Sequence, residues 1–170
     1  MNTPRFLSSF YHFIFSSKVM SPVWLVARVY VGYQWLHAGY GKFTNPAWIG
    51  ADTGKAITGF VNGALGKTVG EHPDVTMWYA WFLKNIVLPN SDVWSYAITY
   101  GEMLVGAGLI LGAFTFLAAF FGAVMNFNFM LAGTVSLNPV MLLLTIFIML
   151  AYRVAGYLGL DYYILKTGRY

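Results

Sequence analysis

Apolar residues run along this chain in four stretches near 20 residues long, the length a helix needs to cross a bilayer. They cover residues 22–42, 93–112, 114–135 and 139–158. Only short breaks at 112–113 and 136–138 separate the last three, so those helices must run antiparallel, side by side. The pattern predicts an all-α fold: an integral membrane four-helix bundle, one transmembrane domain over residues 1–170, without internal repeats. Ahead of it, residues 6–15 are apolar between Arg5 and Lys18. That is too short for a span and predicts an N-terminal helix lying at the membrane interface. The one long connection, 43–92, carries Ile57, Phe60, Val61, Ala64 and Leu65 at helical spacing, then Met77, Trp78, Trp81, Phe82 and Ile86 around Tyr79. Broken by glycines, it reads as a partly helical extracytoplasmic cap over one end of the bundle, its second half an aromatic-rich interfacial helix.

Composition points to the same solvent. Of 170 residues, 58% are hydrophobic and only 9% charged, against roughly 25% in an ordinary soluble domain. Mean hydropathy is +0.61, more apolar surface than a core this small can hide, so membrane lipid is an expected partner. The net charge of +4 is spread along the chain, which argues against nucleic acid. Zero Cys removes disulfides, thiolate metal sites and iron–sulfur clusters. Arg5, Lys18, Lys166 and Arg169 on the side of the termini balance Lys42, Lys55, Lys67 and Lys84 on the side of the cap. Arg28 and Arg153, set toward the terminal side, tip the positive-inside rule to both termini cytoplasmic in a cell membrane.

A charge inside a lipid-spanning helix costs about 2.5–3.5 kcal/mol at its centre and asks for a partner. In the first stretch Arg28, Gly32, Trp35, Gly39 and Lys42 fall within roughly 40° of one line at about 100° per residue. In the second, Ser95, Thr99, Glu102 and Gly106 make a small, polar stripe that points Glu102 inward. By helical rise, Arg28 lies roughly 9 Å from residue 22 and Glu102 roughly 15 Å from Gly112, a matching depth that an Arg side chain bridges. Two readings of that pair stay open: the charged floor of an internal cavity, or an ion pair that fixes helix register. Asn126 shares the packing face of Ala119, Gly122 and Gly133, with Asn128 about 200° away, so Asn126 is the one expected near a cavity. His37 lies off the face of Arg28, and with His12 and His72 outside the stretches no histidine pair is placed to clamp a haem. Asp161 is expected to close the last helix by pairing with Arg153 or a tail cation. No metal site is expected.

The run Arg28, Gly32, Trp35, Leu36, Ala38, Gly39, Lys42 and Phe43, followed by Gly101, Glu102, Gly106, Gly108 and Gly112, resembles the DoxX family of four-helix membrane proteins. The long cap with Trp78, Tyr79, Trp81 and Phe82, then Asn126, Asn128, Asn138 and Pro139, and finally Gly156, Gly159 and Asp161, look like its DoxD branch. That resemblance implies the large membrane subunit of a prokaryotic thiosulfate:quinone oxidoreductase, working with a separate DoxA-like small subunit. Two thiosulfates joining through sulfur release two electrons, which a quinone accepts with two protons. Such a reaction asks for cations to hold dianions and a carboxylate to deliver protons. Lys42 at the cap end and Arg28 deeper are the expected cations, Glu102 the proton handler, Trp35 a quinone-facing ring and Asn126 a further lining group. The competing reading is a non-catalytic scaffold or assembly partner for soluble redox proteins, in which Arg28, Glu102 and Lys42 satisfy one another and leave no room for a ligand. A transporter ranks third, and a homo-oligomer is compatible with any of these.

Overall fold

Proline and glycine punctuate the chain into its helices. In a computed structural model, which describes residues 5–167 and the side chains of 9–164, the described residues form helices and connecting turns throughout. Helix α1 (Arg5–Ser16) precedes α2 (Ser21–Phe43), which opens on Pro22, where a missing N–H costs nothing. The cap supplies α3 (Lys55–Leu65) and α4 (Met77–Phe82), which runs on into a π-helical turn, Leu83–Val87. Helix α5 (Ser91–Leu111) ends on Gly112, whose φ of 65° is the left-handed geometry that glycine adopts freely. Then follow α6 (Thr115–Leu131), α7 (Asn138–Leu150, again opened by a proline), α8 (Tyr152–Ala155) and α9 (Leu160–Thr167).

Helices α2, α5, α6 and α7 make the bundle, each packing on the next and α7 returning to α2. The α2–α5 contact is the closest because glycines face backbone. A Cβ on Gly106 would lie 2.5 Å from the Leu36 nitrogen, and one on Gly39 2.9 Å from the Met103 nitrogen. Trp24, Val31, Trp35, Val105, Leu109, Ala119 and Ile148 fill the core between the helices. Helix α1 folds back onto this core, with Phe15 against Trp24 and Phe147, and the Trp24 indole donates to the Ile14 carbonyl. The cap has a second core, in which Ile57, Val61 and Ala64 of α3 meet Val75, Tyr79, Leu83 and Val87.

The first three predicted stretches match α2, α5 and α6 to within a few residues. The fourth does not hold as one helix: α7 stops at Leu150, and Ala151 (φ −95°, ψ 13°) turns the chain into α8 and back over the α2 end of the bundle. Among the described residues, no helix is long and apolar enough to cross a membrane. The reason is a division of labour. Helices α2 and α5, with 23 and 21 residues, reach about 35 and 31 Å but carry the charged and small residues of the interior. Helices α6 and α7 are more apolar but, with 17 and 13 residues, reach only about 25 and 20 Å. The predicted cap helix exists, yet Met77, Trp78, Trp81 and Ile86 face outward while Tyr79, Ala80, Leu83 and Val87 are buried. Of the cations used for orientation, Arg169 and the side chains of Arg5 and Lys166 lie outside the described residues.

Candidate functional site

A chamber opens where the cap meets the α2–α5 pair. The inward line of α2 carries Trp35, Gly39 and, at its last turn, Lys42; the polar stripe of α5 brings Glu102 opposite. Lys42 Nζ donates to Glu102 Oε2 at 2.7 Å. The carboxylate side chain is 1% exposed and the lysine 20%, so the pair spans the boundary between bundle interior and chamber. The ammonium also lies 5.1 Å from the Trp48 ring centre, a cation–π contact that the cap supplies. Beside the pair is a cavity of about 320 Å³. Gln34, Trp35 and Ala38 line it from α2, Trp48, Ile57 and Phe60 from the cap, and Phe129, Thr134, Ser136 and Met141 from α6, its turn and α7.

A second cavity, of about 300 Å³, lies under α4 and is almost wholly apolar. Ile57, Phe60, Ile98 and Phe129 belong to the walls of both. Its polar side chains include Tyr79 and Asn128: the Tyr79 hydroxyl donates to the Asn128 carbonyl at 2.9 Å and also reaches Asn128 Oδ1 at 3.2 Å. Burial pushes the Tyr79 hydroxyl up to about 12, so it stays a donor through the physiological range.

Arg28 sits elsewhere, and the expected Arg28–Glu102 pair does not form. The guanidinium, 1% exposed, donates from Nη2 to the Leu158 carbonyl at 3.0 Å, packs against Gly112 and Gly159, and has Asp161 within electrostatic reach. Asp161 does not pair with Arg153 either, and the tail cations expected as its alternative partners, the Lys166 side chain and Arg169, lie outside the described residues. The two Asp161 oxygens accept from the Phe114 and Thr115 amides at 2.6 and 2.8 Å, capping the N-terminus of α6 from 46 residues away. Phe114 holds φ of 48° there, a strained geometry over-determined by that cap. Arg153 bonds the Tyr152 hydroxyl on the surface. This end of the molecule is therefore a structural joint tying α9 to the α5–α6 turn and to α2.

The structure thus brings Lys42, Glu102 and Trp35 to one chamber and leaves Arg28 at the far end. Asn126 is fully buried with neither amide atom partnered, and it lines neither cavity; of the two α6 asparagines, the one facing a cavity is Asn128, and Asn138 of α7 lines the chamber. The packing face of α6 closes on the bundle core around Ala119 and Gly122, whereas the face bearing Asn128 meets Tyr79 of α4. His37 stacks on Tyr33 at the outer surface of α2. As cavity walls, Trp48, Phe60 and Phe129 escaped the sequence reading, which met Phe60 only as part of a helical pattern. Trp48 follows the end of α2 with no periodicity to mark it, and the two phenylalanines are indistinguishable by sequence from core.

The DoxX family model matches residues 23–135, a stretch from the start of α2 to the turn after α6. The chain belongs to the DoxX family. Membership suggests a membrane-associated, oxidoreductase-related protein. No curated protein and no solved structure matches the chain.

Proposed function

We propose that this DoxX-family chain lies in a cell membrane and receives a quinone ring in the Lys42–Glu102 chamber, as the quinone-reducing component of an oxidoreductase. The observation that carries this reading is the chamber: room for a ring-sized ligand beside a buried ion pair, with Trp35, Trp48, Phe60 and Phe129 as walls. A scaffold needs no such space. The donor set suits a quinone, since the ring offers flat apolar faces and carbonyl oxygens. Lys42 has three N–H donors and engages Glu102 with one. A quinone bound there would accept two electrons and two protons. Lys42 orients a carbonyl oxygen, Glu102 holds the lysine and hands on protons, and the aromatic walls exclude water.

The bilayer is supported by what the bundle turns outward. Val26, Leu104, Phe116, Phe120, Phe121, Phe127, Leu143 and Ile146, drawn from all four bundle helices, are all exposed, large apolar side chains that lipid would cover. The charges that lower the apolarity of α2 and α5, Arg28 and Glu102, point inward, so lipid does not meet them. In that setting the cation balance supports cytoplasmic termini, with the cap outside. The DoxD resemblance adds the donor, a small sulfur anion such as thiosulfate. One cation already neutralised by Glu102 is a weak trap for a dianion, and Arg28 is remote, so donor capture falls to a DoxA-like partner subunit.

An anaerobic assay tests this. Purified chain, with and without its candidate small subunit, is mixed with a soluble quinone analogue and thiosulfate while quinol absorbance is followed. Quinol forms in the complete mixture, and Glu102→Gln lowers kcat. Absence of reduction with thiosulfate, sulfite or sulfide, together with no quinone in the purified material, would leave the scaffold.

A further inference from the structure

The two cavities are neighbours of unlike chemistry. The chamber ends on Lys42 and Glu102; the one under α4 is walled by Leu83, Val87, Trp94 and Met125 and has little polar surface. Between them stand Phe60 and Phe129, in edge-to-face contact at 6.1 Å, with Ile57 and Ile98 at their sides. Phe129 is only partly buried, and both rings belong to the walls of both spaces, so a change of rotamer at either is what would join them. Each space alone lies near the bottom of the roughly 300–1,000 Å³ range of small-molecule sites. Joined past those rings, they would make one elongated site, polar at one end and oily at the other.

We propose that the apolar cavity is a tail annex: the site takes a quinone bearing an isoprenoid chain, ring against Lys42 and chain past Phe60 and Phe129 into the space under α4. This rests on the quinone reading above and specifies its substrate class. A tail-less ring satisfies the chamber and leaves the annex bare. An isoprenoid chain is apolar, flexible and branched, suited to walls made of Leu, Val, Met and aromatic side chains. The annex also explains why the cap buries the Tyr79 face of α4 and α4 ends in a π-helical turn. Both bring Leu83 and Val87 to the cavity wall, while Trp78 and Trp81 stay outside.

The test uses the full chain in detergent and reads quenching of its tryptophans, of which Trp35, Trp48 and Trp94 line the two spaces. Two probes share one benzoquinone ring; one carries a methyl group and the other two isoprene units. The tailed probe binds about tenfold tighter or more, as burying its chain requires. Val87→Phe and Val124→Phe, which fill the annex from different elements, each collapse that ratio toward one. Equal affinity of the two probes in the parent chain, or a ratio that survives both filled variants, overturns the annex while the chamber reading stands. Failure of both probes to bind the parent chain overturns the quinone reading itself.

Discussion

The Lys42–Glu102 pair makes a prediction whose size follows from its asymmetry. Lys42→Met leaves the Glu102 carboxylate, 1% exposed, without a counter-charge, and an uncompensated buried charge costs about 3–5 kcal/mol. Glu102→Gln instead strands an ammonium that is 20% exposed and can turn toward water along its flexible stem, at a cost on the order of 1 kcal/mol. For a domain of this length each kcal/mol moves Tm by about 2–4 °C. Lys42→Met therefore lowers Tm by about 6–20 °C and Glu102→Gln by roughly 2–4 °C. The double variant falls short of their sum by a coupling of about 1–3 kcal/mol. Thermal unfolding followed by circular dichroism in one detergent measures all three. A parallel cycle between Arg28→Met and Glu102→Gln is additive to within about 0.5 kcal/mol, because these residues share no partner. Strong coupling in the second cycle, or equal losses from the two single variants in the first, would refute the geometry.

Three further outcomes follow from packing, titration and orientation. Gly106→Ala drives a Cβ to 2.5 Å from the Leu36 nitrogen and 2.8 Å from the Gly32 carbonyl oxygen. Since backbone cannot swing aside, it costs about 1–3 kcal/mol in thermal unfolding. Gly63→Ala on α3 meets nothing within 4 Å and gains up to about 1 kcal/mol. With the Tyr79 hydroxyl up at about 12 against about 10 in the unfolded chain, the unfolded state loses its proton first as pH rises. Its contribution to stability is whole below pH 10 and is lost toward pH 12. Tyr79→Phe unfolds more easily at neutral pH and shows a shallower alkaline decline in denaturant titrations. A single cysteine at Thr53→Cys, against a background with none, reacts with an impermeant thiol reagent in intact cells, while Ser9→Cys stays shielded; the reverse pattern would invert the orientation.

Much of the bundle was legible because its determinants are local and periodic. The inward lines of α2 and α5 follow from a period of 3.6 and from glycines at matching offsets. Every member of the α5 stripe, Ser95, Thr99, Glu102 and Gly106, is buried. What one helix cannot tell is its register against another. Matching depths by rise assumed that α2 and α5 end level. In the structure Leu36 faces Gly106 and Gly39 faces Met103. That register carries Lys42 to Glu102 and leaves Arg28 beside Gly112, more than a turn beyond, where α9 folds in. Asp161 as a cap for α6 was equally hidden, because the contact spans 46 residues. The chamber itself is tertiary. Its walls come from the cap and from four bundle helices at once, and Trp48, Phe60 and Phe129 carry no sequence mark that separates a cavity wall from a core.

The central claim is that the chamber between Lys42, Trp35 and the cap holds a quinone, and photo-crosslinking reads this most directly. The purified chain is irradiated with an azido-substituted benzoquinone and digested, and labelled peptides are mapped by mass spectrometry. The account predicts label on the segments carrying Trp35–Lys42, Trp48 and Phe129, competed by unlabelled quinone and abolished when Ala38→Trp fills the chamber. Label confined to the outer faces of α6 and α7, or undiminished in Ala38→Trp, would contradict it.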